Sequence, residues 1–319
     1  MSCAETVSEP VAGVTSAAVL GAGLIGASMA AMFATTGVSV KLWDPRPESE
    51  PEFRRRLAIA QDQLEQLGRA PRSEVVWVSS LDEAVSSVQW IQENAPEDVS
   101  LKRSLYERVE IAASDNAIIA SSTSALTWSE LASELRNPLR FVTAHPFNPA
   151  HLMPLIEIYG RSEETIQSAV DFFTALGKQT VTLRRDAIGH IANRLASALW
   201  REAVHIVAEG IADVEAVDAA LVHGPGLRWS IAGSHMNYHL GGGSGGLARY
   251  LEQLGPSQER RWETLGNPKL TDSVCARLIE GINKSANGRS IAELEHLRDC
   301  QILETLKLRK SLLLRGVCI

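Results

Sequence analysis

The chain has 319 residues, a formal net charge of −7 and four scattered cysteines, Cys3, Cys275, Cys300 and Cys318. Its acidic balance argues against a nucleic-acid partner, which asks for a basic face. Without a CxxC pair there is no signal for a zinc site or a disulfide framework, and the length allows one large or two ordinary domains with ample core.

The opening segment, MSCAETVSEPVAG, is polar, with no basic region ahead of an apolar core, so it does not read as a signal peptide. Residues 1–15 are expected to form a flexible tail. From residue 16 short apolar runs alternate with helical patterns. Strands are expected at 17–20, 38–42, 75–78, 90–93, 117–121, 141–144, 155–159 and 179–183, and helices include 24–36, 101–113 and 163–176. This alternation predicts an α/β domain over residues 16–185: a Rossmann-type doubly wound sheet, mainly parallel, with helices on both faces.

The pattern changes near Asp186. IGHIANRLASALWREAVHIVAEG carries apolar residues at helical spacing, followed by VEAVDAAL, a glycine-rich GGGSGG, LTDSVCARLIEGI and IAELEHLRDCQILETLKLRK. An all-helical domain over 186–319 is expected, with its apolar faces available for substrate and dimer contacts. The apolar stretch after residue 16 is broken by glycines and threonines and does not make a spanning helix. GVCI has its cysteine next to last, where prenylation needs it fourth from the end. A cytoplasmic protein with no membrane partner is the expectation.

AAVLGAGLIGASMAAMF passes from strand to helix and sets Gly21, Gly23 and Gly26 in GxGxxG spacing, with Leu24 and Ile25 between the last two. The first glycine permits a tight turn, the second a close approach to a pyrophosphate, and the third helix–strand packing. The helix N-terminus offers free N–H groups and a favourable dipole to the phosphates. Alone the motif is weak and could be an ordinary turn. A second strand, VSVKLW, ends at Asp44, at the distance where an acid meets the adenosine ribose. Asp44 accepts from both ribose hydroxyls and repels a 2′-phosphate, so NAD is expected rather than NADP, although Arg46 lies two residues on.

The stretch HPFNPAHLMPLIE opens with His145 and closes with Glu157. Oxidation of an alcohol removes a proton from oxygen, and histidine suits that task because it titrates near neutrality. His145 follows the strand FVTA, at the edge where doubly wound sheets bind ligands. A rigid proline-rich loop returns Glu157 towards it, to orient the ring and balance its charge. A loop histidine and a surface glutamate are the bland alternative.

GAGLIGASMA, IQENAPEDVSLKRSLY, ASSTSALTW, HPFNPAHLMPLIEI, ALGKQTV and GHIANRL, in that order, resemble the L-3-hydroxyacyl-CoA dehydrogenase superfamily. The resemblance implies catalytic His145 and Glu157. It matches Ser124 and Asn193 to positions that contact substrate, and Glu93 and Lys102 to positions associated with the nicotinamide and the site entrance. It also implies a homodimer built through the helical domain.

HGPGLRWSIAG, GGGSGG and GRSIAELEHLRD are similar to the branch containing carnitine 3-dehydrogenase, with lambda-crystallin and L-gulonate 3-dehydrogenase as neighbours. That branch acts on free 3-hydroxy acids, so NAD-dependent oxidation of a small 3-hydroxy acid is expected, with carnitine first. Aromatic faces suit a trimethylammonium group; Trp229, Tyr238 and Trp262 are the pocket candidates, with Phe147 and Trp200 behind them. After GLRW the chain continues SIAGSHMNYHL, where carnitine dehydrogenases carry more aromatics, which leaves another polar 3-hydroxy acid open. His235 and His239 lie there without an evident third ligand, and no metal is expected. The alternatives are an acyl-CoA-linked dehydrogenase, with 54–56 as a basic track for CoA, and a crystallin-like structural NAD-binding protein.

Overall fold

The structure, a computed structural model, describes residues 13–317. Of the expected tail, residues 1–12 lie outside the described residues, as do Cys3 and Cys318. The chain divides into two compact units, one reaching Arg194 and including Asp299–Lys307, the other formed by Leu195–Arg298 and the residues from Leu308 on.

The first unit is built on eight strands: β1 Ser16–Leu20, β2 Ser39–Trp43, β3 Val75–Trp77, β4 Trp90–Glu93, β5 Ile118–Ser121, β6 Phe141–Pro146, β7 Leu155–Tyr159 and β8 Gln179–Thr182. They form one sheet in the order β3-β2-β1-β4-β5-β6-β7-β8. The first six are mutually parallel, β7 runs antiparallel to β6, and β8 is parallel to β7. Six helices accompany them: α1 Leu24–Ala34, α2 Glu50–Gln66, α3 Leu81–Val85, α4 Val99–Ala112, α5 Trp128–Ala132 and α6 Glu163–Ala175.

The central strands read as continuous apolar runs because both faces are covered. In β1, Ala17 and Val19 join a core with Met29, Phe33, Phe53, Leu64 and Phe172 from α1, α2 and α6. Ala18 and Leu20 point the other way, into a core with Leu81, Tyr106, Val109, Trp128 and Leu131 from α3, α4 and α5. The alternation is the period-2 pleat, and it fixes register because a one-residue slip would exchange the two faces. Ser80, Asp98, Thr127 and Ser162 cap α3, α4, α5 and α6. Each cap satisfies amides that would otherwise be orphaned, at about 1 kcal/mol apiece.

At the end of β6 the structure departs from expectation. The strand extends through Pro146, so His145 lies within it. The antiparallel pairing sets His145 directly opposite Glu157, flanked by the pairs Ala144↔Ile158 and Pro146↔Ile156. Strand register, and not the prolines alone, brings the imidazole and the carboxylate together.

The remaining helices are α7 Ala192–Ala208, α8 Val214–His223, α9 Pro225–Trp229, α10 Ser234–Gly241, α11 Gly246–Glu263, α12 Asp272–Ala286 and α13 Ile291–Leu314. The start of α7 and the stretch Asp299–Lys307 of α13 belong to the first unit. Helix α11 was not legible: Gly255 and Pro256 punctuate its sequence, yet the helix continues through Pro256. The helical unit keeps many apolar side chains in contact with solvent, among them Trp200, Ile211, Trp262, Ile279 and Ile282.

Candidate active site

The crossover between β1 and β4 is the switch point where doubly wound sheets take their ligands. Gly21, directly after β1, has φ +103°, a conformation that glycine adopts without strain. A Cβ there would also meet the Asn94 carbonyl oxygen at 2.8 Å, and one at Gly26 would lie 1.9 Å from the Gly21 oxygen. Gly23 faces open space. It stands at the N-terminus of α1, which has no side-chain cap, so the first-turn amides from Leu24 and Ile25 on are left for a ligand. Beside this turn lies a cleft of about 650 Å3 bounded by Gly21, Gly23, Asp44, Arg46, Asn94, Leu101 and Arg108.

Asp44, at the end of β2, accepts from the Ala22 amide at 2.8 Å and the Arg46 amide at 2.9 Å. The Arg46 guanidinium lies 3.2 Å from the same carboxylate. Burial works against the charge of Asp44, but these donors outweigh it and hold its carboxyl below the usual range. Arg46 is therefore engaged by Asp44, and the cleft meets a ribose with an anion. These residues fit an NAD cofactor.

Beyond β4, Glu93 is wholly buried and gathers four donors: Lys102, the Ala95 amide, Tyr106 and Ser121. Lys102 Nζ lies 2.6 Å from the Glu93 carboxylate and donates to the Ala95 carbonyl at 3.0 Å. The pair fixes the turn after β4, where the cleft wall passes towards the sheet's centre. Tyr106 is held protonated well above its ordinary range, by burial first and by the Glu93 charge second.

Glu97 follows in the same turn and was missed by sequence reasoning. Its carboxylate accepts from the Thr123 and Ser124 hydroxyls, at 2.8 and 3.0 Å, and from the Ala125 amide at 2.9 Å. Burial raises its pKa, but the Ser124 amide, the Thr123 hydroxyl, the Ala125 amide and Lys102 together hold it below the usual range, so the group stays ionised. Glu97 thus sets the loop that presents Ser124. Beside Glu93 and Asp98 in IQENAPEDVS, nothing in the sequence marked Glu97 for this.

His145 Nδ1 lies 3.0 Å from Glu157 Oε2, and both side chains are buried. The other Glu157 oxygen accepts from the Ile191 and Ala192 amides at 2.8 and 2.9 Å, where α7 begins. Burial opposes the Glu157 charge, but the His145 bond and these two amides hold its carboxyl below the usual range. An ionised Glu157 fixes the proton of neutral His145 on Nδ1 and leaves Nε2 as the accepting nitrogen. Asn193 donates to the Ser124 carbonyl at 3.2 Å, and the Phe147 ring centre lies 4.9 Å from that of His145. The structure therefore gathers Ser124, His145, Phe147, Glu157 and Asn193.

Trp229 and Tyr238 lie in the helical unit, on α9 and α10, both partly exposed; Tyr238 packs on Tyr250 with ring centres 5.0 Å apart.

The loop between β6 and β7 is held by groups that sequence reasoning also missed. Lys178 Nζ donates to the carbonyls of Ala150 and Met153 at 2.6 and 2.7 Å. His151 bonds Ser28 of α1 at 2.9 Å, and its other nitrogen meets Gln63 of α2.

Comparison with known proteins agrees with this architecture. Residues 16–187 match the 3-hydroxyacyl-CoA dehydrogenase NAD-binding domain, and residues 189–275 match the 3-hydroxyacyl-CoA dehydrogenase C-terminal domain. The chain belongs to the 3-hydroxyacyl-CoA dehydrogenase family. It is an NAD-dependent oxidoreductase. L-carnitine dehydrogenase of Streptomyces griseus is 41% identical over 91% of this chain and 88% of that one. L-carnitine dehydrogenase of Pseudomonas putida is 40% identical over 92% and 94%. Among solved structures, 5-formyl-3-hydroxy-2-methylpyridine 4-carboxylic acid 5-dehydrogenase, an NAD+-dependent dismutase, aligns with a TM-score of 0.76 at 25% identity, over 92% of this chain and 98% of that one. A 3-hydroxyacyl-CoA dehydrogenase of Archaeoglobus fulgidus shares the fold, with a TM-score of 0.61 at 24% identity over 95% and 99%.

Proposed function

We propose that this family member oxidises the 3-hydroxyl of a small free 3-hydroxy acid, with L-carnitine, giving 3-dehydrocarnitine, as the first substrate to test. His145 is the general base, and Glu157 orients it and balances its charge. NAD, when bound, supplies the hydride acceptor. As the C3–H bond is lost, the hydroxyl proton passes to His145 Nε2, and the imidazolium so formed faces the Glu157 carboxylate. Ser124 and Asn193 hold the reacting oxygen in place, and Glu93 and Lys102 shape the nicotinamide end of the cleft.

The observation that carries this reading is the buried 3.0 Å His145–Glu157 bond, with the second carboxylate oxygen tied to the Ile191 and Ala192 amides. A carboxylate engaged so fully is committed to holding one imidazole. The relatives named L-carnitine dehydrogenase support the free-acid substrate. The basic track considered for CoA is occupied internally: Arg54 pairs with Glu50, and Arg55 and Arg56 pair with Glu52. A trimethylammonium group is best met by an aromatic face, for which Phe147, Trp229 and Tyr238 remain the candidates.

Initial rates with NAD and carnitine, gulonate, 3-hydroxybutyrate and 3-hydroxybutyryl-CoA test the proposal. Turnover of carnitine or another free acid well above the thioester is the expected result. A preference for 3-hydroxybutyryl-CoA would replace it with the thioester reading.

A further inference from the structure

One cation on the wall of the cofactor cleft has no part in the steps above. Leu101, Ser104, Leu105 and Arg108 are three and four residues apart on α4, the spacing that sets side chains on one face of a helix. All four line the cleft beside the glycine turn, together with Trp43 and Pro45 from the end of β2. Trp43 and Leu105 belong to the core beneath, whereas Arg108 is exposed. The Arg108 guanidinium carbon lies over the Trp43 ring, 5.8 Å from its centre. Among the described residues no carboxylate pairs with it. The arginines nearest to it on the cleft and on α4 are engaged, Arg46 by Asp44 and Arg103 by Glu134.

We infer that Arg108 is the adenine clamp of this dehydrogenase, its guanidinium backed by the Trp43 ring and closing on a face of the cofactor's base. Asp44 meets the adenosine ribose, and the α1 N-terminus meets the phosphates. In the cofactor's own bonding the ribose lies between phosphate and base, so the base falls beyond Asp44, away from the glycine turn. Arg108 rests on Trp43, the residue next to Asp44, and so stands within reach of that position. Adenine is a flat ring system with two faces to cover. A guanidinium is planar, always charged and weakly hydrated, and it stacks on such faces. A carboxylate partner would have drawn the guanidinium off by its N–H edge. Trp43 holds it by a face instead, and leaves the other face free for the base. Holding the long side chain in place beforehand also lessens the rotamer freedom lost on binding. The inference is independent of which acid is oxidised, because it concerns the end of the cofactor remote from the chemistry.

The test measures Kd, without turnover, for NADH, for reduced nicotinamide mononucleotide, which lacks the adenosine, and for ADP-ribose, which lacks the nicotinamide. Nicotinamide fluorescence reads the first two, and displacement of NADH reads the third. In Arg108→Ala, Kd for NADH and for ADP-ribose should rise about 10-fold, and that for the mononucleotide should change by less than about twofold. Arg108→Lys keeps the charge and loses the plane, so it should recover only a small part of the loss. The loss should also persist in high salt, which screens attraction to the phosphates far more than a close contact with the base. Binding by Arg108→Lys as tight as wild type, or a loss that salt abolishes, would make Arg108 a charge for the pyrophosphate and overturn the inference. Equal losses for NADH and the mononucleotide, the mark of a prop that only keeps Trp43 and the cleft in shape, would overturn it too. So would a wild-type Kd for NADH and ADP-ribose in Arg108→Ala.

Discussion

At the scale of single residues, the His145–Glu157 pair makes the sharpest claim. His145→Gln should lower kcat by about 10²–10⁴-fold with NAD binding largely retained, because the base is lost and the cofactor turn is untouched. Glu157→Gln should also slow turnover, since the amide can hold the ring but cannot balance its charge. In the double variant the two losses should fall well short of their product, because the residues act as one unit. Near-normal steady-state turnover in His145→Gln would remove the mechanism. Asp44 carries a second residue-level expectation. Its carboxylate holds the Arg46 guanidinium at 3.2 Å. Asp44→Ser removes the ribose acceptor and frees Arg46 for a 2′-phosphate. The ratio of kcat/KM for NAD over that for NADP should therefore fall, and an unchanged ratio would show that another residue makes the choice.

At the scale of elements, the β6–β7 hairpin is held by more than its prolines. Lys178, just before β8, spans the loop by donating to the carbonyls of Ala150 and Met153, and His151 ties the same loop to α1 and α2. Burial, then repulsion from Arg69, lowers Lys178 from 10.5 to about 7. Burial, then repulsion from Lys178, lowers His151 from 6.5 to about 4. In both cases the unfolded chain takes up its proton at a higher pH than the folded one. Stability is therefore fully present above the unfolded value and falls as pH drops towards the folded value. For Lys178 that window runs from about 10.5 to about 7, and for His151 from about 6.5 to about 4. Thermal melts should show Tm declining across the upper window in wild type. Lys178→Met should melt lower, because two buried carbonyls lose their donor, and should show a flatter Tm profile there. An equally steep profile in Lys178→Met would assign the dependence to other groups.

At the scale of the whole molecule, we expect a homodimer built through the helical unit. Trp200, Ile211, Trp262, Ile279 and Ile282 are each at least half exposed in the single chain, from 50% to 70%. Burying one such side chain contributes about 1.5–3 kcal/mol, and a monomer seldom leaves so many in water. Light scattering at micromolar concentration should give twice the chain mass, and a monomeric mass would refute the expectation. Among the described residues no helix is long and apolar enough to cross a membrane.

The sequence by itself determined the alternation of strand and helix, the glycine turn with Asp44 at the end of β2, and that a histidine and a carboxylate flank one proline-rich stretch. These are local facts: a pleat of period 2, a helix of period 3.6 and a turn that only glycine fits each leave their mark within a dozen or so residues. The tertiary structure decided what depends on distant segments meeting. The antiparallel register that sets His145 opposite Glu157 is a property of two strands and could not be read from either. Glu97 reaches Ser124 across 27 positions, and His190 reaches Thr123 across 67. An acid or a histidine carries no mark of such a partner in its own neighbourhood, because the hydrogen bond exists only once the sheet has brought the two loops together.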